Sequence, residues 1–224
     1  MASGISISLT LILVVMTGII SYQAFNNPQI KAKLLFRPAS VKEFGEWYRF
    51  LTHSFVHGDF THLLINLFVL YTFGEIIETF FISLFGDLLG RLFFLLVYFG
   101  AIVTAAIPSY IKHKDNGYYS ALGASGGTSG IVFAFVLFFP WNWFDFPPLP
   151  GILFAVAYLW YSSYMAKQGR DNIGHDAHFW GAVFGFFATI ALILIFRPDA
   201  INIIIDRYKD LEPLLAGPSW ARSY

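Results

Sequence analysis

Charged residues divide this chain into long apolar runs. No Asp, Glu, Lys or Arg precedes Lys31, and Ile5 to Phe25 reads ISISLTLILVVMTGIISYQAF. Further uncharged runs extend from Leu92 to Ile111, Asn116 to Phe144, Phe146 to Ala166 and Ala177 to Phe196. Between the runs Ile5 to Phe25 and Leu92 to Ile111 lies Phe60 to Phe81, apolar apart from His62, Asn66, Glu75 and Glu78. A hydrocarbon core of about 30 Å takes about 20 helical residues. The pattern therefore predicts an all-α integral membrane protein with six transmembrane helices. Repeated alternating segments of about ten residues, the signature of a β-barrel, do not occur. Residues 1–30 are read as the first transmembrane helix, 31–59 as a loop, 60–196 as helices two to six, and 197–224 as a tail.

Composition agrees. Apolar residues make up 57% of the 224 and charged residues 12%, against about 45–50% and about 25% in soluble domains. Fourteen basic and fourteen acidic residues leave no net charge, so the electrostatic footprint of a nucleic-acid binder is missing. With no Cys, disulfides and thiolate chemistry are excluded. The first run lacks a basic leader and a small-residue cleavage site and is read as a retained anchor. Trp141, Trp143, Phe144, Trp160, Tyr161 and Tyr164 fall where spans end, as an interfacial belt predicts. Phe44, Trp47, Tyr48 and Phe50 place the first loop in the membrane interface as well.

Charge does not orient the bundle. The side holding the termini carries Arg91, Arg197, Arg207, Lys209 and Arg222. The other carries Lys31, Lys33, Arg37, Lys42, Arg49, Lys112, Lys114, Lys167 and Arg170. The excess lies in the first loop, without which the two sides nearly balance.

Polar groups inside membrane spans are costly and point to function. Three clusters stand out. The second span opens His57-Gly58-Asp59-Phe60-Thr61-His62, and Asn66 follows His62 by four residues, on the same helix face. The fourth opens Ser120-Ala121-Leu122-Gly123-Ala124-Ser125-Gly126-Gly127-Thr128-Ser129-Gly130, dense in glycine, which costs helix stability but lets another backbone approach. The sixth opens His175-Asp176-Ala177-His178, with Gly181 and Gly185 forming a G-x-x-x-G notch on the face of His178. Two glycine-faced helices packed together would bring Ser125 and His178 to one depth. An imidazole at about 2.6–3.2 Å can take the proton of a hydroxyl nucleophile. His62, Asn66 and the Ser125 N–H are candidate donors to the resulting oxyanion.

From Gly45 to Phe196 the chain resembles the rhomboid intramembrane serine proteases. The resemblance rests on Trp47-Tyr48-Arg49, His62-x-x-x-Asn66, Gly123-Ala124-Ser125-Gly126 and Ala177-His178-x-x-Gly181-x-x-x-Gly185, in that order. It implies a rhomboid-like bundle, Ser125 as nucleophile and His178 as general base, with His62 and Asn66 lining an oxyanion hole that Gly123 helps to shape. Glu78 fits an acidic residue that the family keeps for structure. The resemblance further implies transmembrane segments of other membrane proteins as substrates and no cofactor or metal. It implies a multi-pass protein of the bacterial inner membrane, amino terminus inside and catalytic end facing away from the cytoplasm.

Two positions depart from the pattern. Tyr48 separates Trp47 from Arg49, and Ser129 stands where many relatives carry an aromatic that stacks on the histidine. Tyr118, Tyr119 and Phe179 are the candidates to orient His178 instead. Ser129, in Gly127-Thr128-Ser129-Gly130, is a rival nucleophile, and Asp176 is a minor candidate for a third triad member. Lys167 to Asp176, polar and glycine-containing, is read as a cap over the site, with the fifth span as the substrate gate. The segment after Arg197 (INIIIDRYKDLEPLL) is read as a surface helix.

Three other readings compete. G-x-S-x-G within 123–127 also suits an α/β-hydrolase, but long uncharged spans contradict its strand–turn–helix setting. His53, His57, His62, His175 and His178 suggest a metal hydrolase, without any H-E-x-x-H. An inactive rhomboid-like protein that binds transmembrane helices would ordinarily have lost the serine or the histidine.

Overall fold

The computed structural model describes residues 8–144, 147–168 and 174–218. Helix α1 (Leu9–Asn26) leads into three short helices, α2 (Pro28–Leu34), α3 (Pro38–Phe44) and α4 (Arg49–Thr52). The long helices α5 (Phe60–Phe85) and α6 (Asp87–His113) follow, then α7 (Ser125–Phe138). Two-residue strands β1 (Trp143–Phe144) and β2 (Leu149–Pro150) pair antiparallel before α8 (Gly151–Gln168), α9 (His175–Phe196), α10 (Ile201–Lys209) and α11 (Glu212–Leu215). Four of these, α1, α5, α6 and α9, are long and apolar enough to cross a membrane, and α7 and α8 are shorter apolar helices. The all-helical bundle expected from the sequence is what forms.

Helix ends account for most departures from the expected spans. The run from Asn116 to Phe144 yields only the 14 residues of α7, about 21 Å of rod at 1.5 Å per residue. Its first part is extended: Phe36 and Ala121 exchange backbone hydrogen bonds at 3.0 Å in both directions, and Gly123 sits at φ +112°, a conformation nearly reserved for glycine. At its far end Pro140 closes the helix, because the residue before a proline is steered out of the α region. Phe139 accordingly has φ −131° and ψ 57°. The fifth span starts later than the apolar run, after Pro150. Of the cap expected over Lys167 to Asp176, residues 169–173 lie outside the described residues.

Glu78 fixes the end of the bundle remote from the three polar clusters. Its carboxylate accepts the Leu9 and Thr10 N–H groups at 2.9 and 2.8 Å and the Ser8 hydroxyl at 3.1 Å. It also pairs with Arg91 of α6 at 2.7 Å. An anion at a helix N-terminus satisfies orphan amides and opposes the helix dipole, so one buried side chain ties α1, α5 and α6 together. At the same end the tail returns to the bundle. Arg207 of α10 lies over the Phe139 ring, and the Trp141 and Trp143 indoles donate to the Tyr208 and Leu214 carbonyls at 3.0 and 3.1 Å.

The first loop folds against the opposite end. Arg49 is buried: its guanidinium pairs with Glu46 at 2.6 Å and donates to the Ala32 and Leu35 carbonyls at 3.1 and 2.6 Å. Phe44 and Trp47 stay exposed, consistent with a loop that rests in the membrane interface.

Candidate active site

Ser125 is the first residue of α7 and His178 lies in the first turn of α9. The two helices run parallel and touch through backbone. A side chain at Gly181 would overlap the Gly126 carbonyl, and one at Gly185 would overlap Gly130. Small residues at a membrane helix interface permit this approach. Ala177, next to His178, also faces Gly126, next to Ser125. The seam therefore brings the serine and the histidine to one end and one level, each half-buried. The other side of α7 packs on α6, where Ala101, Ile102 and Ala105 leave no room for a Cβ at Gly126, Gly127 or Gly130.

The segment before Ser125 is pinned from three sides. Phe36 pairs with Ala121, the Gly123 N–H donates to the His53 carbonyl at 2.9 Å, and the Ala124 N–H donates to His57 Nε2 at 3.3 Å. That last bond sets the tautomer. An amide can only donate, so Nε2 is bare and Nδ1 carries the hydrogen, which goes to the Ser21 hydroxyl at 2.9 Å. Ser21 in turn donates to the Phe55 carbonyl at 2.8 Å. Burial lowers His57 to about 3, with His62 adding to the effect and Asp59 opposing it. Burial likewise lowers His53 to about 4, against its bond to the Arg49 carbonyl. Both imidazoles are structural and neutral.

His62 and Asn66 stand on the first two turns of α5, whose N-terminus Asp59 caps by accepting the His62 N–H at 2.8 Å. The His62 ring covers Gly123 so closely that a Cβ there would stand 2.8 Å from Cε1. Asn66, buried, donates to the His62 carbonyl at 2.9 Å and accepts the Thr128 hydroxyl at 3.3 Å. The first amides of α7 have no acceptor within their own helix. Ser125, Gly123, His62, Asn66 and His178 thus converge on the N-terminal ends of α5, α7 and α9.

Other candidates lie elsewhere. Tyr118 is fully exposed, Tyr119 stacks on His113 at 3.7 Å, and Phe179 meets Trp180 edge-on. The ring that stacks on His178 is Tyr158 of α8, at 6.0 Å between centroids and 25° between planes. His175 meets His178 edge-on at 5.8 Å. Ser129 is buried and bonded at 2.6 Å to the Tyr158 hydroxyl. Among the described residues no three His, Asp or Glu side chains gather as a metal site would require. Tyr158 escaped the sequence reading, and His57 entered it only in the cluster opening the second span and as a possible metal ligand. Tyr158 is one of several aromatics in its span, and only the packing of α8 against α9 selects it.

Comparison with known proteins shows the family. The model of the Rhomboid domain matches residues 44–195, and the chain belongs to the rhomboid family. Over 151 residues, 66% of this chain, it is 28% identical to YdcA of Bacillus subtilis strain 168, covering 69% of that protein. Over an equal length it is 32% identical to the rhomboid protease GluP of the same organism, covering 26% of it. Rhomboid-like protein 11 of Arabidopsis thaliana chloroplasts is 33% identical over 101 residues, 45% of this chain and 32% of that one. This is an integral membrane protein of a family of intramembrane proteases.

Proposed function

We propose that the protein is an intramembrane serine endopeptidase, cutting peptide bonds within or next to transmembrane helices of other membrane proteins. Ser125 attacks the carbonyl carbon, and His178 takes its proton and later returns it to the leaving amine. Water then resolves the acyl-enzyme with His178 as base. The oxyanion is met by the Ser125 N–H at the positive end of α7, by His62 and by the second N–H of the Asn66 amide. Gly123 supplies the turn that leaves room for it. No metal or cofactor takes part in this scheme.

A helical substrate shields its peptide bonds by its own hydrogen bonding, so the segment to be cut must unwind first. Glycine and other helix-weakening residues near the cut promote this. The lipid bilayer is the other partner, and a catalytic end turned away from the cytoplasm in a bacterial inner membrane is part of the same reading.

One observation carries the proposal: the contact of Gly126 with Gly181 and of Gly130 with Gly185, which supports Ser125 and His178 acting as a pair. Labelling by a serine-reactive fluorophosphonate in detergent tests it, alongside cleavage of a model transmembrane substrate. Ser125→Ala and His178→Ala should abolish both. A Ser125→Ala protein that still labels and cleaves would falsify the assignment and make Ser129 the nucleophile.

A further inference from the structure

The geometry around His178 points to a positioning residue on a different helix from either member of the dyad. We propose that Tyr158, tethered by Ser129, is the residue that holds the His178 imidazole in its working orientation. The inference rests on the protease reading above and names how its base is held.

An imidazole in a dyad needs its ring plane fixed, since rotation about the Cβ–Cγ bond swings Nε2 away from the hydroxyl it must serve. Tyr158 lies against the His178 ring in an offset stack at 6.0 Å and 25°, within the range aromatic pairs prefer. Tyr158 is itself fixed from several directions. Phe154 stacks on it at 5.6 Å, Phe133 of α7 meets it at 5.7 Å, and its hydroxyl bonds Ser129 at 2.6 Å. Ser129 is one turn beyond Ser125 on α7, so the tether runs from the helix of the nucleophile, through α8, to the ring on α9. His175, braced by Tyr161 of α8 at 5.7 Å, bounds His178 on another side.

The arrangement also explains why a small hydroxyl residue stands at 129. An aromatic side chain there would compete for the volume that Tyr158 fills. A serine leaves that volume to the tyrosine and bonds its hydroxyl, which would otherwise be a buried polar group without a partner.

The test compares Tyr158→Phe, Tyr158→Leu, Ser129→Ala and the double variant Ser129→Ala/Tyr158→Phe in detergent. It reads kcat and KM on a model transmembrane substrate, fluorophosphonate labelling rate, thermal midpoint, and the His178 ring resonances in histidine-labelled protein assigned with His178→Ala. Ser129→Ala and Tyr158→Phe each break the same hydrogen bond. They should lower kcat about three- to tenfold with KM within about twofold, and the double variant should lose no more than either single one. Tyr158→Leu removes the ring as well. It should lower kcat by about tenfold or more and move the His178 resonances, which Tyr158→Phe keeps near their wild-type positions. A purely structural role would instead lower the thermal midpoint while leaving kcat of the folded fraction intact.

An active wild type whose kcat and His178 resonances are unmoved by Tyr158→Leu removes this inference and leaves the protease reading standing. Should that variant fail to fold, Ser129→Ala and Tyr158→Phe carry the decision, each removing a single hydroxyl. Unchanged kcat in both overturns the tether. Complete loss of labelling in Ser129→Ala alone makes Ser129 the nucleophile and overturns both readings. A wild type that neither labels nor cleaves removes the protease reading and this inference with it.

Discussion

Helices α7 and α8 are both short and apolar, yet they are held in opposite ways. Every residue of α7 from Gly126 to Phe138 is buried, enclosed by α5, α6 and α9. On α8, Leu153, Val156, Trp160, Tyr161 and Tyr164 are exposed. Helix α8 meets the bundle chiefly along one edge, against α9. Ser125 thus sits on a helix enclosed on every side, and the ring stacked on His178 on a helix packed along one edge. The protease proposed above, admitting a bulky substrate, would need both properties. A helix with few buried contacts opens more readily than one buried along its whole length.

The largest effect should come from breaking the enclosed half. Gly181→Val sets a branched side chain against the Gly126 carbonyl and forces α7 and α9 apart. Since a misplacement of about 1 Å can cost about 100-fold in rate, substrate cleavage should fall by at least that factor. The folded fraction, read by size-exclusion chromatography, separates lost geometry from lost protein. Next comes the approach to α7. His57→Ala strips the Ala124 N–H of its partner and the Ser21 hydroxyl of one of its two, and should lower stability by about 1–3 kcal/mol, read as a drop in thermal midpoint.

A third effect is a pH dependence on the same anchor. His53 and His57 titrate near 6.5 when unfolded but at about 4 and about 3 in the fold. The unfolded chain therefore binds protons that the fold refuses. This contribution to stability is fully present above about pH 6.5 and fades as pH falls toward 4. Thermal midpoints at pH 7.5 and pH 5 should differ in that sense, and by less in His57→Gln. Equal midpoints would mean that these rings are not held neutral. The smallest effect belongs to the open half. Val156→Leu, on the exposed face of α8, should shift stability by less than about 0.5 kcal/mol and leave cleavage unaltered. A large loss there would mean that α8 is packed as tightly as α7.

The spacing of charges along the chain made the spans legible, because lipid tolerates so few of them. The candidate site residues stood out for a similar reason: His62, Asn66, Ser125 and His178 are polar groups where polar groups are expensive. What the pattern did not reveal was where α7 starts. Residues 116–124 are uncharged and pass for helix, yet they form loop, and His53, His57 and Phe36 hold residues 121–124 through contacts made across the fold. Tyr158 was hidden by abundance, one of 44 aromatic side chains (12 Tyr, 6 Trp and 26 Phe). Ser129 was noticed for its hydroxyl, but its partner came from another helix.

The brevity of α7 has a last consequence. Gly126, its second residue, sits beside Gly181, the seventh residue of α9, so α9 begins about 7.5 Å further out than α7 at 1.5 Å per residue. Before the serine the chain is not helix but loop, its Ala121, Gly123 and Ala124 amides bonded to Phe36, His53 and His57. Such backbone survives at that level only because neighbouring protein shelters it from hydrocarbon. The short helix thus leaves the approach to Ser125 to be built by loop backbone that three other segments brace.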